Sequence, residues 1–295
     1  METDQEKVNK FLEYFKTELV RACPRKVDFI LVFGSVARGE FRVGVSDIDM
    51  IIQCRKEESV ESVERAADKI FWMADRKFGT EFGEVCSTGK GRREQEIKNL
   101  EKELKLYKPF EVIGPSDIDW SKGEIKHPGL MWWSFFIPKD LMARKIKYEG
   151  KIVYGRDVRK DIEARSVFLD KVKALFIPQM LSLASIPMLL LSTDKAIKYS
   201  TKAVFYSVEN QLYFLDLKFG STDRNIDKLR KKLGDVFSVR FMNEARQVRY
   251  NFNEVRKSWT KLDKAVYCLD AVIFVFYINW AVFIRYVVMN ALRLW

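Results

Sequence analysis

Residues 28–53, DFILVFGSVARGEFRVGVSDIDMIIQ, constrain this chain more than any other stretch. DFILVF is a continuous apolar run of strand length that stops at Gly34-Ser35, and SDIDMIIQ is a second such run opening twelve residues after Gly34. Runs this short, bounded by turn residues and rich in Ile, Val and Phe, predict buried strands. The segment between them, SVARG, suits a short helix. A strand, a glycine–serine turn, a short helix and a second strand opening on acidic residues therefore form one unit.

The flanking sequence extends this unit into a layered domain. Val8, Phe11, Leu12, Phe15 and Leu19 recur at helical spacing, predicting an amphipathic helix that ends before Cys23-Pro24. A second helix is expected over 60–78, closed by Gly79. TEFGEVCST then reads as a strand, GRREQEIKNLEKELKLY as a charged, solvated helix, and KPFEVIG, stopped by Pro115, as a further strand. Alternation of this kind predicts an α+β domain with a mixed sheet backed by helices. Beyond residue 160 strand signals fade and long apolar helical runs dominate, predicting a helical bundle. The boundary is placed at Tyr154-Gly155, giving domains of 1–155 and 156–295.

Charge divides the same way. Residues 1–150 carry 27 Lys+Arg and 27 Asp+Glu, whereas residues 151–295 carry 25 and 14, so the whole net charge of +11 lies in the second half. Lys228, Arg230, Lys231, Lys232, Arg240, Arg246 and Arg249 cluster there, interleaved with Phe237, Phe241, Tyr250 and Phe252. Cations for phosphates and rings for bases make RNA a candidate partner of this half. A solvated basic helix pair is the alternative.

Other chemistries are poorly served. The four cysteines are scattered, without a CxxC pair, and the single histidine, His127, precedes Pro128-Gly129 in a predicted loop, which argues against zinc. Free thiols suit a reducing cytoplasm. The opening METDQEKVNK is charged and no apolar run follows, so no leader is expected. Residues 265–284 are apolar apart from Asp270 and Asn279 and are long enough to cross a bilayer, but a charge inside the span favours a buried bundle helix over a membrane segment. The other apolar stretch, near 176–191, is expected to be broken by Pro178 and Pro187.

The acidic opening of the second strand carries the chemistry. Asp47 and Asp49 stand two apart, so on a strand both carboxylates face one way, with Cα atoms ~6.6 Å apart. Paired carboxylates offer the oxygen ligands that magnesium prefers. Gly34 lets the backbone approach a ligand closely, the Ser35 hydroxyl adds a donor, and Arg38 is within reach of the same phosphates. A phosphate cradle then faces a metal platform.

With Gly34, Ser35, Ala37, Arg38, Gly39, Asp47 and Asp49 at this spacing, the segment resembles the nucleotidyltransferase superfamily of DNA polymerase beta, the kanamycin nucleotidyltransferases, CCA-adding enzymes and the minimal nucleotidyltransferases. The resemblance covers residues 1 to about 120. It implies a nucleoside triphosphate substrate, magnesium (two ions) held by three carboxylates, and transfer of a nucleoside monophosphate to a hydroxyl acceptor on RNA, protein or a small molecule. Glu111 is the preferred third carboxylate, because Phe110 and Val112 flank it as a core-facing pair. Glu84, and behind it Glu81 or no third ligand at all, are the alternatives. Glu209, on a predicted helix capped by Asp194 and beside Phe205, Tyr206 and Tyr213, is either a base for the acceptor hydroxyl or a hydrogen-bonded structural group. The Trp132-Trp133 and Phe135-Phe136 pairs are read as core. A catalytically weak nucleotide- or RNA-binding module, antitoxin-like, is the alternative to an enzyme. Ribonuclease chemistry of the HEPN type would need a histidine after His127, and there is none.

Overall fold

A computed structural model describes residues 2–43, 46–82, 109–122, 124–126, 138–163, 167–234 and 238–293. The chain forms two compact units, residues 1–135 with 142–165, and residues 136–141 with 166–295. Glu84, Cys86, His127, Trp132-Trp133, Phe135-Phe136, Phe237 and the charged GRREQEIKNLEKELKLY segment lie outside the described residues.

The first unit is built on a four-stranded sheet. Helix α1 (Asp4–Ala22) is started by a Thr3–Glu6 capping box, in which each side chain satisfies the other's backbone N–H. It buries Val8, Phe11, Leu12, Phe15 and Leu19, the stripe legible in the sequence. Strand β1 (Val27–Phe33) pairs antiparallel with β2 (Asp49–Cys54), and the five-residue helix α2 (Gly34–Arg38) leaves the end of β1. Helix α3 (Val60–Phe78) ends on Gly79 in the left-handed conformation, as expected. Strand β3 (Phe110–Ile113) pairs parallel with β2, and β6 (Lys151–Gly155) pairs antiparallel with β1, giving the order β3-β2-β1-β6. Strands β4 (Ile118–Asp119) and β5 (Glu124–Ile125) make a separate two-stranded ribbon.

Residue alternation in the strands sorts the core into two layers. Ile30, Val32, Met50, Ile52, Cys54, Phe110 and Val112 pack with the apolar faces of α1 and α3. Phe11, Phe71 and Phe82 meet edge-on or tilted at ring-centroid distances of 5.1 to 5.7 Å. On the opposite face, Phe29, Leu31, Ile51 and Ile113 pack with Trp120, Ile146, Val158 and Ile162. Ile146 belongs to α4 (Lys139–Glu149). Gly155 is forced by its surroundings: φ is +80°, and a Cβ there would stand 1.9 Å from the Asp28 carbonyl oxygen.

The second unit is helical. Helices α5 (Phe168–Leu191), α6 (Thr193–Phe214) and α10 (Lys261–Arg293) form its long members, joined by α7 (Thr222–Leu233), α8 (Val239–Tyr250) and α9 (Phe252–Ser258). Two expectations are corrected here. The N-cap of α6 is Ser192, whose hydroxyl accepts from Lys195 N–H; Asp194 sits in the first turn and pairs with Lys264 at 2.8 Å and Arg256 at 2.9 Å. Helix α5 also runs unbroken through both Pro178 and Pro187.

The reason at Pro178 is visible. Proline lacks the N–H that would bond the carbonyl four residues earlier, Ala174. Asn210 on α6 donates to that carbonyl instead, at 2.6 Å. Asn279 on α10 donates to the neighbouring Leu175 carbonyl at 2.8 Å, and its own carbonyl oxygen accepts from Ser207 and Gln211. The Asn210 side chain thus replaces the missing ladder bond, and Asn279 braces the next carbonyl. Helices α5 and α10 are the two helices, among the described residues, long and apolar enough to cross a membrane by length and composition, each with a mean hydropathy of 1.9.

Candidate functional site

The end of β1, the start of β2 and the start of β3 lie side by side. Phe33 is the register partner of Asp49, so Gly34, the next residue, sits at the edge where β2 begins. Its φ is +72°, and a Cβ on it would lie 2.6 Å from Asp49 Oδ2. The glycine is therefore demanded twice, by its left-handed backbone and by the carboxylate lying over it. The glycine–serine turn and the acidic strand are in contact at this point.

Glu111 lies opposite Ile51 in the parallel β2–β3 register. Ile51 is two residues from Asp49, so pleating puts Glu111 on the face that carries Asp49, and puts Phe110 and Val112 into the α1/α3 layer. Asp47 precedes the first residue of β2, so strand alternation by itself does not set its direction. The loop that delivers it is tied: Ser46 N–H donates to the Arg42 carbonyl at 2.9 Å, Arg42 N–H donates to the Ser46 hydroxyl at 3.0 Å, and Val43 N–H donates to Asp4 at 3.2 Å. Ser46 is buried; its role escaped the sequence reading, although its place before Asp47 was a signal.

Arg38 has a different setting from the one expected of a phosphate ligand. Its side chain is only 8% exposed, and it bonds Glu40 at 2.9 Å and Glu149 at 2.7 Å, the latter 2% exposed. Glu40 stood two residues away in the sequence, but nothing in the sequence pointed to Glu149, which comes from the end of α4. The guanidinium locks the C-terminal turn of α2 in place. Gly39 closes that turn with Glu40 N–H donating to the Ser35 carbonyl at 2.9 Å.

The acids that follow β3 are structural. Asp117 accepts from Gly114 N–H at 2.7 Å, and Ser116 bonds Glu57 through both its N–H and its hydroxyl. Hydrogen bonds from Ser116 hold the Glu57 carboxyl below its usual range. Asp75 accepts from Thr80 and Phe82 after the end of α3. Among the described residues, no three Asp, Glu, His or Cys side chains are already gathered as a metal set. The donor chemistry at the strand ends is nonetheless all oxygen, as a hard dication requires.

Three of the seven cations in the basic cluster are engaged within the second unit, while Arg230, Lys231, Lys232 and Arg240 are exposed. Arg246 pairs with Asp223, Arg249 lies 4.7 Å over the Phe205 ring, and Lys228 donates to the Lys218 carbonyl at 2.7 Å. Phe241 and Phe252 are core residues, Phe241 stacking on Tyr267 at 5.7 Å, and so are not presented to bases. Arg230, Lys231 and Lys232 are exposed in the last turn of α7, where cations complement the helix dipole. Glu209 is buried within the second unit.

Residues 8–118 match the family model described as Nucleotidyltransferase domain. The first unit thus carries a nucleotidyltransferase domain, and the protein is by that domain an enzyme of the transferase class. The solved structure of spectinomycin adenyltransferase AAD(9) from Enterococcus faecialis, with ATP and spectinomycin, aligns over 94% of this chain and 98% of its own, with 12% sequence identity and a TM-score of 0.48. No curated protein sequence matches the chain.

Proposed function

We propose that the protein transfers a nucleoside monophosphate from a nucleoside triphosphate to a hydroxyl acceptor, releasing pyrophosphate, in a magnesium-dependent reaction in the cytoplasm. The observation that carries this reading is the contact between the Gly34 turn and the Asp49 carboxylate, with Glu111 on the same sheet face one strand away. Asp47, Asp49 and Glu111 would hold the metal, two ions in the full complex. When bound, such ions polarise the transferred phosphoryl group and lower the pKa of the attacking hydroxyl. The chain's own residues bind and orient. The Gly34–Ser35 turn offers N–H groups and a hydroxyl to the phosphate oxygens. Arg38, held by Glu40 and Glu149, keeps α2 aimed so that those donors stay in place. Residues 1–155 would act as the catalytic domain, and residues 156–295 would recognise the acceptor or a partner.

The acceptor is a hydroxyl on a small molecule, a protein or an RNA end; an RNA would be met through the exposed turn Arg230–Lys231–Lys232. Incubating the full chain with each α-labelled triphosphate, magnesium and a cell extract tests the reading. The expected result is label moving onto one acceptor class, abolished by chelation. Triphosphate binding without turnover on any extract fraction would favour a recognition module over an enzyme.

A further inference from the structure

Helix α10 carries two apolar faces. One is inside the helical unit, through Tyr267, Cys268, Ala271, Val275, Ile278 and Val282. The other is exposed: Leu262, Val266, Leu269, Ile273, Tyr277, Trp280 and Ile284 are each between 48% and 72% open to solvent. Their steps are 4, 3, 4, 4, 3 and 4 residues. The mean step, 22 residues in six, is close to the helical repeat of about 3.6, so the row runs almost straight along the axis for ~33 Å. An uninterrupted apolar row of this length is not an ordinary solvated helix face.

We infer that this face is an interface with a second copy of the same chain, packed antiparallel about a two-fold axis at Ile273. Two features select that occupant. First, among the described side chains the step pattern reads the same in both directions from Ile273. An isologous contact requires that when residue i meets residue j, j also meets i. About Ile273 the layers become Leu262 with Ile284, Val266 with Trp280, Leu269 with Tyr277, and Ile273 with itself. Each of the seven apolar positions then finds an apolar partner, and the smallest, Val266, faces the largest, Trp280. Second, the area is right. The exposed parts of the seven side chains sum to roughly 700 Å² per copy, or about 1,400 Å² for the pair, within the standard range for a specific interface. A bilayer fits less well, because the exposed Asp270, one turn from both Val266 and Ile273, flanks the row at mid-length. The corresponding row on α5, which includes Leu169, Phe176, Met180, Leu183 and Leu190, is interrupted by Lys173 and Pro187.

The test uses the full chain, purified without detergent, in sedimentation and light-scattering measurements from 1 to 100 µM (concentrations of about this range span the expected affinity). The expected species is a dimer. Ile273→Asp sets two carboxylates against each other on the axis and should weaken association at least ~30-fold, the scale of a hot-spot loss. Because Ile273 is exposed, that variant should keep the parent's circular dichroism and melting temperature. Ile273→Cys should cross-link to a dimer under mild oxidation, whereas Leu262→Cys should not, since antiparallel packing holds its two copies ~33 Å apart. A monomer at every concentration, an Ile273→Asp variant that still dimerises, efficient Leu262→Cys cross-linking, or recovery of the parent only with detergent-extracted membranes would each overturn the inference.

Discussion

Gly34 shows how closely the candidate site is specified at the scale of single residues. Its left-handed backbone and the Asp49 carboxylate 2.6 Å from its would-be Cβ leave no room for a side chain. Gly34→Ala should cost about 1–2 kcal/mol from the backbone alone. By displacing Asp49, it should also slow turnover by on the order of a hundredfold. A melt and a rate measured on the same preparation separate the two effects. Arg38 behaves oppositely. Removing it leaves the buried Glu149 carboxylate without this guanidinium, so Arg38→Ala should lower stability by about 3–5 kcal/mol, whereas Ser35→Ala should weaken triphosphate binding with little change in the melt. A destabilised Ser35→Ala and an unshifted Arg38→Ala would reverse these assignments. The thiols supply a pH test. Burial pushes Cys54 up to about 12, and Cys23 and Cys268 upward as well. A pKa raised by folding stabilises fully below the unfolded thiol's value near 9, and that contribution is lost as pH climbs toward 12. Alkaline unfolding titrations should show this decline, and thiol reagents should label these three cysteines only in denaturant.

Among the elements, α1, β1, β2, α3 and β3 were legible because each has an unambiguous local pattern: a helical stripe, continuous apolar runs, or a glycine stop. The helix ends at Gly79 and before Cys23 followed from the same signals. What the sequence concealed depends on residues far apart in the chain. The prolines of α5 should have ended it, and Asn210, 36 residues from the Ala174 carbonyl it serves, explains why Pro178 does not. The pairing of Arg38 with Glu149, 111 residues away, was hidden for the same reason. Composition likewise does not say which cations of the basic cluster are engaged inside the unit, as Lys228, Arg246 and Arg249 are. The α5 explanation is testable by a double-mutant cycle. Asn210→Leu should destabilise by about 1–3 kcal/mol through the orphaned Ala174 carbonyl. Adding Pro178→Ala restores the N–H that carbonyl needs and should recover much of the loss. Equal effects of Asn210→Leu in both backgrounds would show that the asparagine acts otherwise.

For the whole molecule, the charge division between the halves invites a polyanionic partner, and three exposed cations stand in succession at the end of α7, Arg230, Lys231 and Lys232. If RNA is the acceptor and this turn meets it, binding by the full chain should show a log–log salt slope of magnitude about 3 and no sequence preference, and Lys231→Ala with Lys232→Ala should reduce it by up to ~2. A steeper slope would require contacts elsewhere on the chain. The account rests most heavily on the acids at the opening of β2. Its most direct test is pyrophosphate release from a nucleoside triphosphate with magnesium and acceptor-containing extract, comparing the parent chain with Asp47→Asn and Asp49→Asn. Both substitutions preserve shape and remove a charge, so both variants should melt like the parent and release pyrophosphate at least ~100-fold more slowly. Parent-like release from either variant, with the fold intact, would contradict the account.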